Sequence, residues 1–291
     1  MDDGLPSVAA IVLGWNHRDD SAECISSILD AGYPALHVWY VDNGSTDDAP
    51  AFLRQKFPRI TVVELGENKG LVGGYNAGIR AALDASSAYI SVFNNDVVVH
   101  PGAFQALANV AQAVDWAGLL VPKIVLHSDA DTLWSAGARE RRFPPGIVQR
   151  GMGASAQDRR FNQVQTVEYA TSCAWMMSSD MVREIGLFDP HYPFYYSDYE
   201  YCRRSVLRGW QIVYVPDAVV RHKVSLSTQK GPEKARWWHN MGEAEAHFYR
   251  QYKGYVQLAL HVPWIVMRTA LQGRGRCIPA YLRGLWDAFN A

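Results

Sequence analysis

Short apolar runs alternate with amphipathic stretches along the first hundred residues of this chain. Four runs read as buried strands, at 7–13, 36–41, 60–64 and 89–93. Three stretches between them have helical spacing, near 19–31, 48–57 and 72–84. Such alternation is typical of βαβ units on a mostly parallel sheet with right-handed crossovers. The pattern predicts an α/β fold with one doubly wound sheet.

The rhythm breaks after residue 117 into shorter segments. Residues 138–146 (ARERRFPPG) carry arginine and proline, and residues 151–157 are rich in small and polar residues. This composition predicts a surface loop region that acts as a lid or as a wall of an acceptor site, with an ordinary solvated insertion as the alternative. After residue 232 the pattern becomes helical.

The C-terminal stretch YVQLALHVPWIVMRTALQ, residues 255–272, is apolar but contains His261, Pro263 and Arg268. It has fewer than the roughly 18 uninterrupted apolar residues of a membrane-spanning helix. The basic GRGR at 273–276 and the aromatic YLRGLW follow it. This combination favours contact with an anionic bilayer surface, while helix packing on the core and a homodimer contact remain open.

Composition narrows the class of protein further. The 291 residues carry 28 basic and 29 acidic side chains, so no global field would recruit nucleic acid. The four scattered cysteines form no CxxC pair and are expected to be small buried residues. The start of the chain lacks a basic segment followed by a long apolar one, which predicts a cytoplasmic protein.

Polar clusters follow the ends of the predicted strands. Asp42 ends the second strand within VDNGSTDD, where Asn43 and the residues after it form a turn. A carboxylate there can accept a hydrogen bond from a base or a ribose hydroxyl, although the motif also suits an ordinary turn. The glycine-bearing ENKGLVGGYNAG, residues 67–78, lets backbone and a helix N-terminus approach a negatively charged ligand. It matches neither GxGxxG nor a Walker A loop.

Asn94, Asn95 and Asp96 end the fourth predicted strand. Mg²⁺ and Mn²⁺ prefer oxygen ligands, and a cation bound to a diphosphate needs only one or two protein carboxylates. Asp96 suits this role, and a helix cap or turn residue is the alternative. His222 follows another apolar run, at a position where it can supply a second ligand.

The stretch FYYSDYEYCRRSVLRGW, residues 194–210, places Asp198 and Glu200 at the start of an amphipathic helix. Acids in a first turn complement the helix dipole, which is a purely structural explanation. The other interpretation is a general base that points into the ligand crevice, with Tyr196 beside it.

In this order the clusters resemble family 2 glycosyltransferases of GT-A fold, particularly bacterial rhamnosyltransferase-like members. The resemblance covers about residues 7–228 and rests on these stretches: VLGWNHRDD, VDNGSTDD, ENKGLVGGYNAGIR, VFNNDVVV, CAWMMSSDMVREIGLFDP, FYYSDYEYCRRSVLRGW and VVRHKVSLS. It implies a GT-A domain over 1–228, with a nucleotide-binding half at 1–100 and an acceptor-binding half at 101–228. Residues 229–291 would form a helical extension.

The resemblance also implies roles for individual residues. Asp198 corresponds to the catalytic base and Glu200 to a supporting acid. Asp96 corresponds to the metal-binding carboxylate of the DXD element, and His222 completes the site for Mg²⁺ or Mn²⁺. The nucleotide sugar would be bound by Asn16, Asp42, Asn43, Asn68, Gly70, Asn76 and Asn95. Trp175 and Tyr196 are the candidates for acceptor contact.

Two positions depart from the family pattern. Asn94 occupies the position where the family has the first acid of DXD, so metal binding relies on Asp96, His222 and the diphosphate itself. Ser197 precedes Asp198 where the family often has an acid, which leaves Asp198 as the candidate base.

The resemblance predicts an inverting, metal-assisted transfer of sugar from dTDP-rhamnose or a similar dTDP- or UDP-sugar to a hydroxyl of a glycan or lipid-linked acceptor. A small soluble natural product is the alternative acceptor. Two other classes of protein share some of these features. A nucleotidyltransferase would have a basic glycine-rich loop near the N-terminus, which LGWNHR at 13–18 lacks. A non-catalytic nucleotide-sugar-binding subunit remains an alternative.

Overall fold

The computed structural model describes residues 4–142, 146–224 and 234–290. Its strands are β1 (Val8–Gly14), β2 (Leu36–Asp42), β3 (Thr61–Glu64), β4 (Tyr89–Asn94), β5 (Val97–Val99), β6 (Ala117–Leu126), β7 (Leu133–Ser135), β8 (Ala138–Arg141), β9 (Gly146–Gln149), β10 (Gln165–Val167), β11 (Ala174–Ser178) and β12 (Gln211–His222). Its helices are α1 (Arg18–Asp30), α2 (Ala49–Lys56), α3 (Gly70–Asp84), α4 (Ala103–Ala113), α5 (Ser179–Ile185), α6 (Ser197–Leu207), α7 (Ala235–Tyr252), α8 (Tyr255–Leu271) and α9 (Ile278–Asn290). The strands and helices predicted before residue 94 are all present.

Ten of the strands form one mixed sheet with the central order β10-β12-β6-β11-β4-β1-β2-β3. The strands β4, β1, β2 and β3 run parallel, and β11 joins β4 and β6 in the antiparallel direction. This arrangement confirms the predicted doubly wound sheet. The carboxyl ends of β1, β2 and β4 consequently meet at one edge, where ligands of open α/β sheets bind.

Both faces of the sheet are buried. In β1, Ala9, Ile11 and Leu13 face a core shared with α3, α5 and α6, whereas the alternate residues face a second core shared with α1 and α4. Strands buried on both sides need a continuous apolar run, as β1 has. The four cysteines are buried free thiols, as expected: Cys24, Cys173, Cys202 and Cys277.

The region after residue 117 is more ordered than the sequence predicts. Strands β8 and β9 pair as an antiparallel hairpin, so the predicted loop is wrong at 138–141 and 146–149, while 143–145 lie outside the described residues. The side chain of Glu140 contacts Lys253, and the Arg141 guanidinium lies 5.8 Å from the centre of the Trp264 ring. Contacts with distant helices therefore fix a segment whose local composition resembles a loop.

The C-terminal helices pack through two glycines. A Cβ on Gly242 would lie 2.2 Å from the Tyr281 carbonyl oxygen, and one on Gly284 would lie 1.9 Å from the His239 carbonyl oxygen. The backbones of α7 and α9 thus touch, and neither glycine can be enlarged without separating the helices. The boundary predicted at residue 228 falls in the segment 225–233, outside the described residues, together with the last three residues of VVRHKVSLS.

Replacing Gly284 with alanine is expected to lower the free energy of unfolding by about 1–3 kcal/mol, because the added methyl group meets backbone rather than a movable side chain. Thermal denaturation of the full chain measures the change. Gly275→Ala is the control, since a Cβ there meets nothing within 4 Å. Equal melting temperatures for the two variants would contradict the close packing of α7 and α9.

Buried hydrogen bonds tie the extension to the sheet domain. The Tyr196 hydroxyl, just before α6, donates to Glu245 of α7 at 3.0 Å, and the Tyr281 hydroxyl of α9 donates to the same carboxylate. The His261 ring of α8 lies 3.2 Å from Glu245. All three extension helices thus converge on one carboxylate that also holds the entrance to α6.

Candidate active site

Three polar residues meet at the carboxyl edge of the parallel strands. Gly14 pairs with Asp42 in register, and Leu13 pairs with Asn94, so the loops after β1, β2 and β4 begin side by side. The Asn16 backbone N–H donates to the Ser45 hydroxyl at 2.8 Å, and the Asn16 amide oxygen accepts the Thr46 N–H at 2.8 Å. Asn16 therefore acts in this structure as a bridge between the first two loops.

Asp42 is buried at this edge. Its Oδ2 accepts the Ser45 N–H at 3.1 Å, whereas within the described part of the chain no donor reaches its buried Oδ1. A buried carboxylate oxygen without a donor is costly and marks a place where a ligand donor is needed. Asp42 is thus suited to accept an N–H or O–H from a nucleoside.

Asn43 and Asn68 shape the glycine-bearing loop. The Asn43 amide donates to Asn68 Oδ1 at 3.2 Å and to the Gly70 carbonyl at 3.1 Å, and it accepts the Lys69 N–H at 2.9 Å. Asn68 in turn accepts the Gly70 N–H at 2.9 Å. Gly70 has φ +71°, which a side chain rarely tolerates, and it begins α3. The two asparagines fix the loop so that the α3 N-terminus borders the crevice.

The tip of β4 carries three polar side chains with separate roles. Asn94 Oδ1 accepts the Tyr75 hydroxyl at 2.7 Å, and Tyr75 also reaches the Ser172 carbonyl at 3.1 Å. The Asn95 amide donates to the Ser21 hydroxyl at 3.0 Å. Asn94 is therefore engaged inside the protein, which agrees with its not being the metal-binding acid of the motif.

Asp96 and His222 face each other, both more than nine-tenths buried. The short strand β5 begins immediately after Asp96 and pairs antiparallel with the end of β12, so that Val97 lies opposite His222. Asp96 Oδ1 lies 3.3 Å from His222 Nε2. A pairing between segments far apart in the chain thus produces the two-residue group.

The spacing of this group fits a divalent cation. Neighbouring ligands of an octahedral ion at about 2.1 Å lie about 3 Å apart. Over residues 4–142, 146–224 and 234–290, no cluster of three or more His, Cys, Asp or Glu side chains is placed to hold a metal. Asp96 and His222 would therefore hold an ion whose other ligands come from outside the protein, such as a diphosphate.

Asp198 lies in the first turn of α6 and is half-buried. Tyr196, the residue just before this helix, has a backbone conformation in the left-handed region, at φ 61°. Burial raises the pKa of Asp198 from its ordinary value near 4 to about 6, although backbone N–H groups, among them that of Tyr199 at 2.9 Å, favour the charged form. A carboxylate with a pKa near neutrality is suited to general-base chemistry.

Asp96 and Asp198 both act electrostatically on two buried groups. Burial raises the pKa of the Cys173 thiol, and both carboxylates raise it further. Burial and the same two acids raise the pKa of Tyr75. The Asn94 N–H donates to the Cys173 carbonyl at 3.0 Å. The segment 172–173 therefore lies beside the end of β4, next to the candidate metal ligand.

Two residues assigned to the site make hydrogen bonds within the fold. Both carboxylate oxygens of Glu200 accept hydrogen bonds from Arg204 at 2.9 Å, and the Tyr252 hydroxyl adds a third at 2.7 Å. Asn76 donates to the Phe188 carbonyl at 2.9 Å and accepts the Phe188 N–H at 3.0 Å. The supporting-acid role of Glu200 and the nucleotide-binding role of Asn76 stay predictions, made for side chains that have partners within the fold.

The acceptor candidates Trp175 and Tyr196 are packed inside the protein. Trp175 is 1% exposed, with its ring stacked on Phe188 and tilted against Tyr201. Tyr196 is 9% exposed, and its hydroxyl is directed to Glu245. Large aromatic residues at strand and helix ends are more often packed than exposed, and neither ring presents a face to an acceptor here.

Replacing Asn76 with alanine is expected to lower the free energy of unfolding by about 2–4 kcal/mol, because the buried N–H and carbonyl of Phe188 both lose their partner. Donor affinity should change less than twofold. Chemical denaturation and donor titration measure the two effects. Asn109→Ala, at an exposed position of α4, is the control. A stable variant with lost donor affinity would restore the nucleotide-binding role.

Sequence reasoning missed several neighbours of the site. Tyr75 is adjacent to Asn76 in the motif, and its hydroxyl holds Asn94. Trp134 packs edge-on against the His222 ring at 4.7 Å. The Lys223 N–H donates to the Asp96 carbonyl at 2.9 Å, while its ammonium pairs with Asp20 and Glu23. Tyr75 and Lys223 had a local signal, since each is next to a predicted site residue in the sequence, whereas Trp134 had none.

Comparison with known proteins identifies the family. Residues 6–240 match the family model described as glycosyltransferase like family 2. This chain belongs to the family 2 glycosyltransferases, and it is a glycosyltransferase.

Two relatives cover most of the chain. The Mycobacterium tuberculosis N-acetylglucosaminyl-diphospho-decaprenol L-rhamnosyltransferase is 28% identical over 254 residues, which are 80% of each chain. The Haloferax volcanii low-salt glycan biosynthesis hexosyltransferase Agl10 is 24% identical over 69% of this chain and 62% of its own.

Solved structures confirm the GT-A fold. The Pyrobaculum calidifontis mannosyltransferase PcManGT, in complex with GDP-Man and Mn²⁺, aligns with a TM-score of 0.58 at 18% identity, over 99% of this chain and 76% of that one. GalNAc-T7 with UDP, GalNAc and Mn²⁺ aligns with a TM-score of 0.62 at 14% identity, over 76% of this chain and 44% of that one.

Proposed function

We propose that this glycosyltransferase moves a deoxyhexose or hexose from a nucleoside diphosphate sugar to an acceptor hydroxyl, with inversion of the anomeric centre and the help of a divalent cation. One observation carries the proposal. Asp198, a carboxylate with a raised pKa, and Asp96, which faces His222, both raise the pKa of the buried Cys173 thiol. This supports a base and a cation site that serve one crevice.

Residues at or after the ends of β2 and β3 support binding of the nucleotide sugar. Asp42 Oδ1, which lacks a donor among the described residues, would accept the N–H of a pyrimidine base or a ribose hydroxyl. The α3 N-terminus, held by Asn43 and Asn68, would favour the negative diphosphate. The similarity to a rhamnosyltransferase favours dTDP-rhamnose among dTDP- and UDP-sugars.

Asp96 and His222 would hold the cation together with the diphosphate. When bound, a divalent cation supplies charge neutralisation for the departing diphosphate. Two solved neighbours of the same fold contain Mn²⁺ beside a nucleotide or nucleotide sugar, which supports a cation here and leaves Mn²⁺ and Mg²⁺ as the candidates.

Asp198 would accept the proton of the acceptor hydroxyl as that oxygen attacks the anomeric carbon. The bond between this carbon and the diphosphate oxygen breaks on the opposite side, and a single displacement of this kind inverts the centre, as in inverting glycosidases where the base activates water. Asp198 rather than Glu200 is proposed as the base, because the oxygens of Glu200 accept hydrogen bonds from Arg204 and Tyr252.

A lipid-linked acceptor in cell-surface glycan synthesis is the preferred substrate, since the rhamnosyltransferase relative is named for transfer to a diphospho-decaprenol acceptor. A small soluble acceptor is the second candidate. We further propose that residues 1–228 form the catalytic domain and that the protein acts at the cytoplasmic face of the membrane.

A donor panel tests the proposal. The full chain is incubated with UDP-, dTDP- and GDP-sugars in Mn²⁺, in Mg²⁺ and in chelator, and both binding and slow hydrolysis are measured. Cation-dependent hydrolysis of one donor is expected. Binding without hydrolysis or transfer would favour the nucleotide-sugar-binding subunit, and hydrolysis that is unaffected by chelator would contradict the role of the cation.

A further inference from the structure

One side of helix α8 is covered, and the opposite side is apolar and exposed. Leu258, His261 and Thr269 are buried against the rest of the protein. On the opposite side, Val256, Leu260, Pro263, Met267, Ala270 and Leu271 are all exposed. At 3.6 residues per turn these six fall within about 100° of the helix circumference. The exposed fraction reaches 76% at Val256 and 80% at Leu271.

Helix α9 carries a second exposed apolar row. Leu282, Trp286 and Phe289 lie at spacings of four and three residues, and Trp286 is 68% exposed. Its opposite side, with Gly284 and Ala288, is buried. The rings of Phe289 and Tyr255, at the start of α8, lie 6.0 Å apart, which joins the two rows at one end. We call these two rows, with Tyr255, the outer apolar surface.

Arginines border this surface. The segment from Gly254 to Asn290 contains Arg268, Arg274, Arg276 and Arg283 and a single acid, Asp287, whereas the whole chain is nearly neutral. No carboxylate among the described residues lies within salt-bridge distance of Arg268, Arg274 or Arg276, while Arg283 lies 3.8 Å from Asp287. The extension is thus locally cationic.

A cleft opens beside the arginines, between α7 and α8. Its volume is about 220 Å³, and Trp237, Trp238, Arg268 and Arg274 line it together with the Glu245 carboxylate. The Tyr196 and Tyr281 hydroxyls donate to Glu245. The aromatic walls and the two cationic side chains suit the phosphate and glycerol of a lipid headgroup. The cleft therefore adds a polar binding place next to the outer apolar surface.

We propose that the outer apolar surface docks on an anionic phospholipid bilayer, with α8 and α9 lying in the interface and the arginines in contact with headgroup phosphates. Exposed apolar rows flanked by arginine, with Trp and Tyr at the boundary, are the features of interfacial helices. Among the described residues no helix is long and apolar enough to cross a membrane.

Charge favours a bilayer over a second copy of the chain. A two-fold contact sets a patch against itself, and here it would oppose four arginines with four arginines and only two copies of Asp287. Like charges across an interface repel, whereas an anionic bilayer attracts each arginine by about 1 kcal/mol. The bilayer is the partner that satisfies both the apolar and the cationic parts.

This inference deepens the proposed function, because a lipid-linked acceptor is met at the bilayer, and that link rests on the proposed function. The docking itself does not. Vesicle binding is measured without donor or acceptor, so it can succeed or fail whichever sugar is transferred.

Sedimentation with vesicles tests the docking. The full chain is mixed with vesicles of phosphatidylcholine alone and with 30% phosphatidylglycerol. We expect binding to the anionic vesicles that weakens with salt. The double variant Arg274→Gln, Arg276→Gln is expected to bind about 10- to 30-fold more weakly. Leu260→Gln with Trp286→Ser should lose most binding to both compositions.

Leu207→Gln with Trp116→Ser is the matched control, since these residues are 58% and 63% exposed but lie elsewhere on the protein. Melting temperature and donor hydrolysis in detergent-free buffer check that each variant is folded. Equal vesicle binding by the control and the surface variant, or no binding to anionic vesicles, would overturn the proposal. It would also be overturned if light scattering showed a dimer that only the surface variant dissociates.

Discussion

Replacing Asp198 with asparagine is expected to lower the rate of sugar transfer by about 10²- to 10⁴-fold, the usual contribution of a general base. The amide keeps the shape of the side chain but cannot take the acceptor proton. Donor affinity should remain within about twofold, because Asp42 and the loops after β1 and β2 lie at the nucleotide end and are untouched. Initial rates and donor titration measure the two effects.

The stability of Asp198→Asn distinguishes a buried general base from an acid that only complements the dipole of α6. The pKa of Asp198 is raised to about 6, so the folded state binds this proton more tightly than the unfolded chain does. Folded stability is therefore lost as pH rises from about 4 through 6, by at most about 3 kcal/mol and less with solvent screening. Asp198→Asn should be more stable than the parent at pH 7, and the difference should vanish near pH 4.

Asp180→Asn is the matched control, because Asp180 also lies in a first helical turn, that of α5. Losing its favourable dipole interaction should lower stability slightly, by less than about 1 kcal/mol, and leave transfer unchanged. The parent enzyme should also lose activity about tenfold per pH unit below pH 6, as the base becomes protonated. Retained transfer in Asp198→Asn would refute the assignment of the base.

Replacing Asp96 with asparagine is the second large effect that we expect. Donor affinity in Mn²⁺ should fall by about 10- to 100-fold or more. Replacing a residue that only hydrogen-bonds to a metal ligand already causes a loss of this size, and Asp96 would be a ligand itself. The affinity should then equal that of the parent protein in chelator, because His222 alone offers one neutral ligand. Calorimetric titration of donor with Mn²⁺ and with chelator measures the change.

Asp217→Asn is the control for this experiment, since Asp217 is an exposed acid on β12, the strand that ends at His222. It should retain the cation dependence of the parent protein. A cation-dependent increase in donor affinity that persisted in Asp96→Asn would show that the cation is held elsewhere. Melting curves of both variants exclude unfolding as the cause of lost affinity.

The sequence predicted the half of the site that depends on strand ends. Asp42 and Asn94 follow apolar runs of parallel strands, and the carboxyl ends of such strands must meet at one edge. The first-turn position of Asp198 was equally local, because the helix that begins there is visible in the sequence. These positions are encoded within a few residues, so a pattern can show them.

The sequence could not predict which polar residues are bound by distant parts of the chain. Glu200 and Asp198 share one helical turn, yet Tyr252, 52 residues away, donates to Glu200 in addition to the local partner Arg204. In the sequence, Asn76 resembles a residue that binds the nucleotide from the glycine-bearing loop. In the fold, its amide donates to Phe188, 112 residues away. A single sequence carries no record of which long-range partner a polar side chain finds.

Hydrophobic period and helix start are local properties, so the α/β class, the parallel strand ends and the candidate acids are visible in the amino-acid sequence. The folded protein is needed to show that Asp96 meets His222, that Trp175 and Tyr196 are packed inside, and that one side of α8 remains uncovered. Those outcomes depend on which distant elements pack together, since burial and pairing are settled by the whole fold rather than by neighbouring residues.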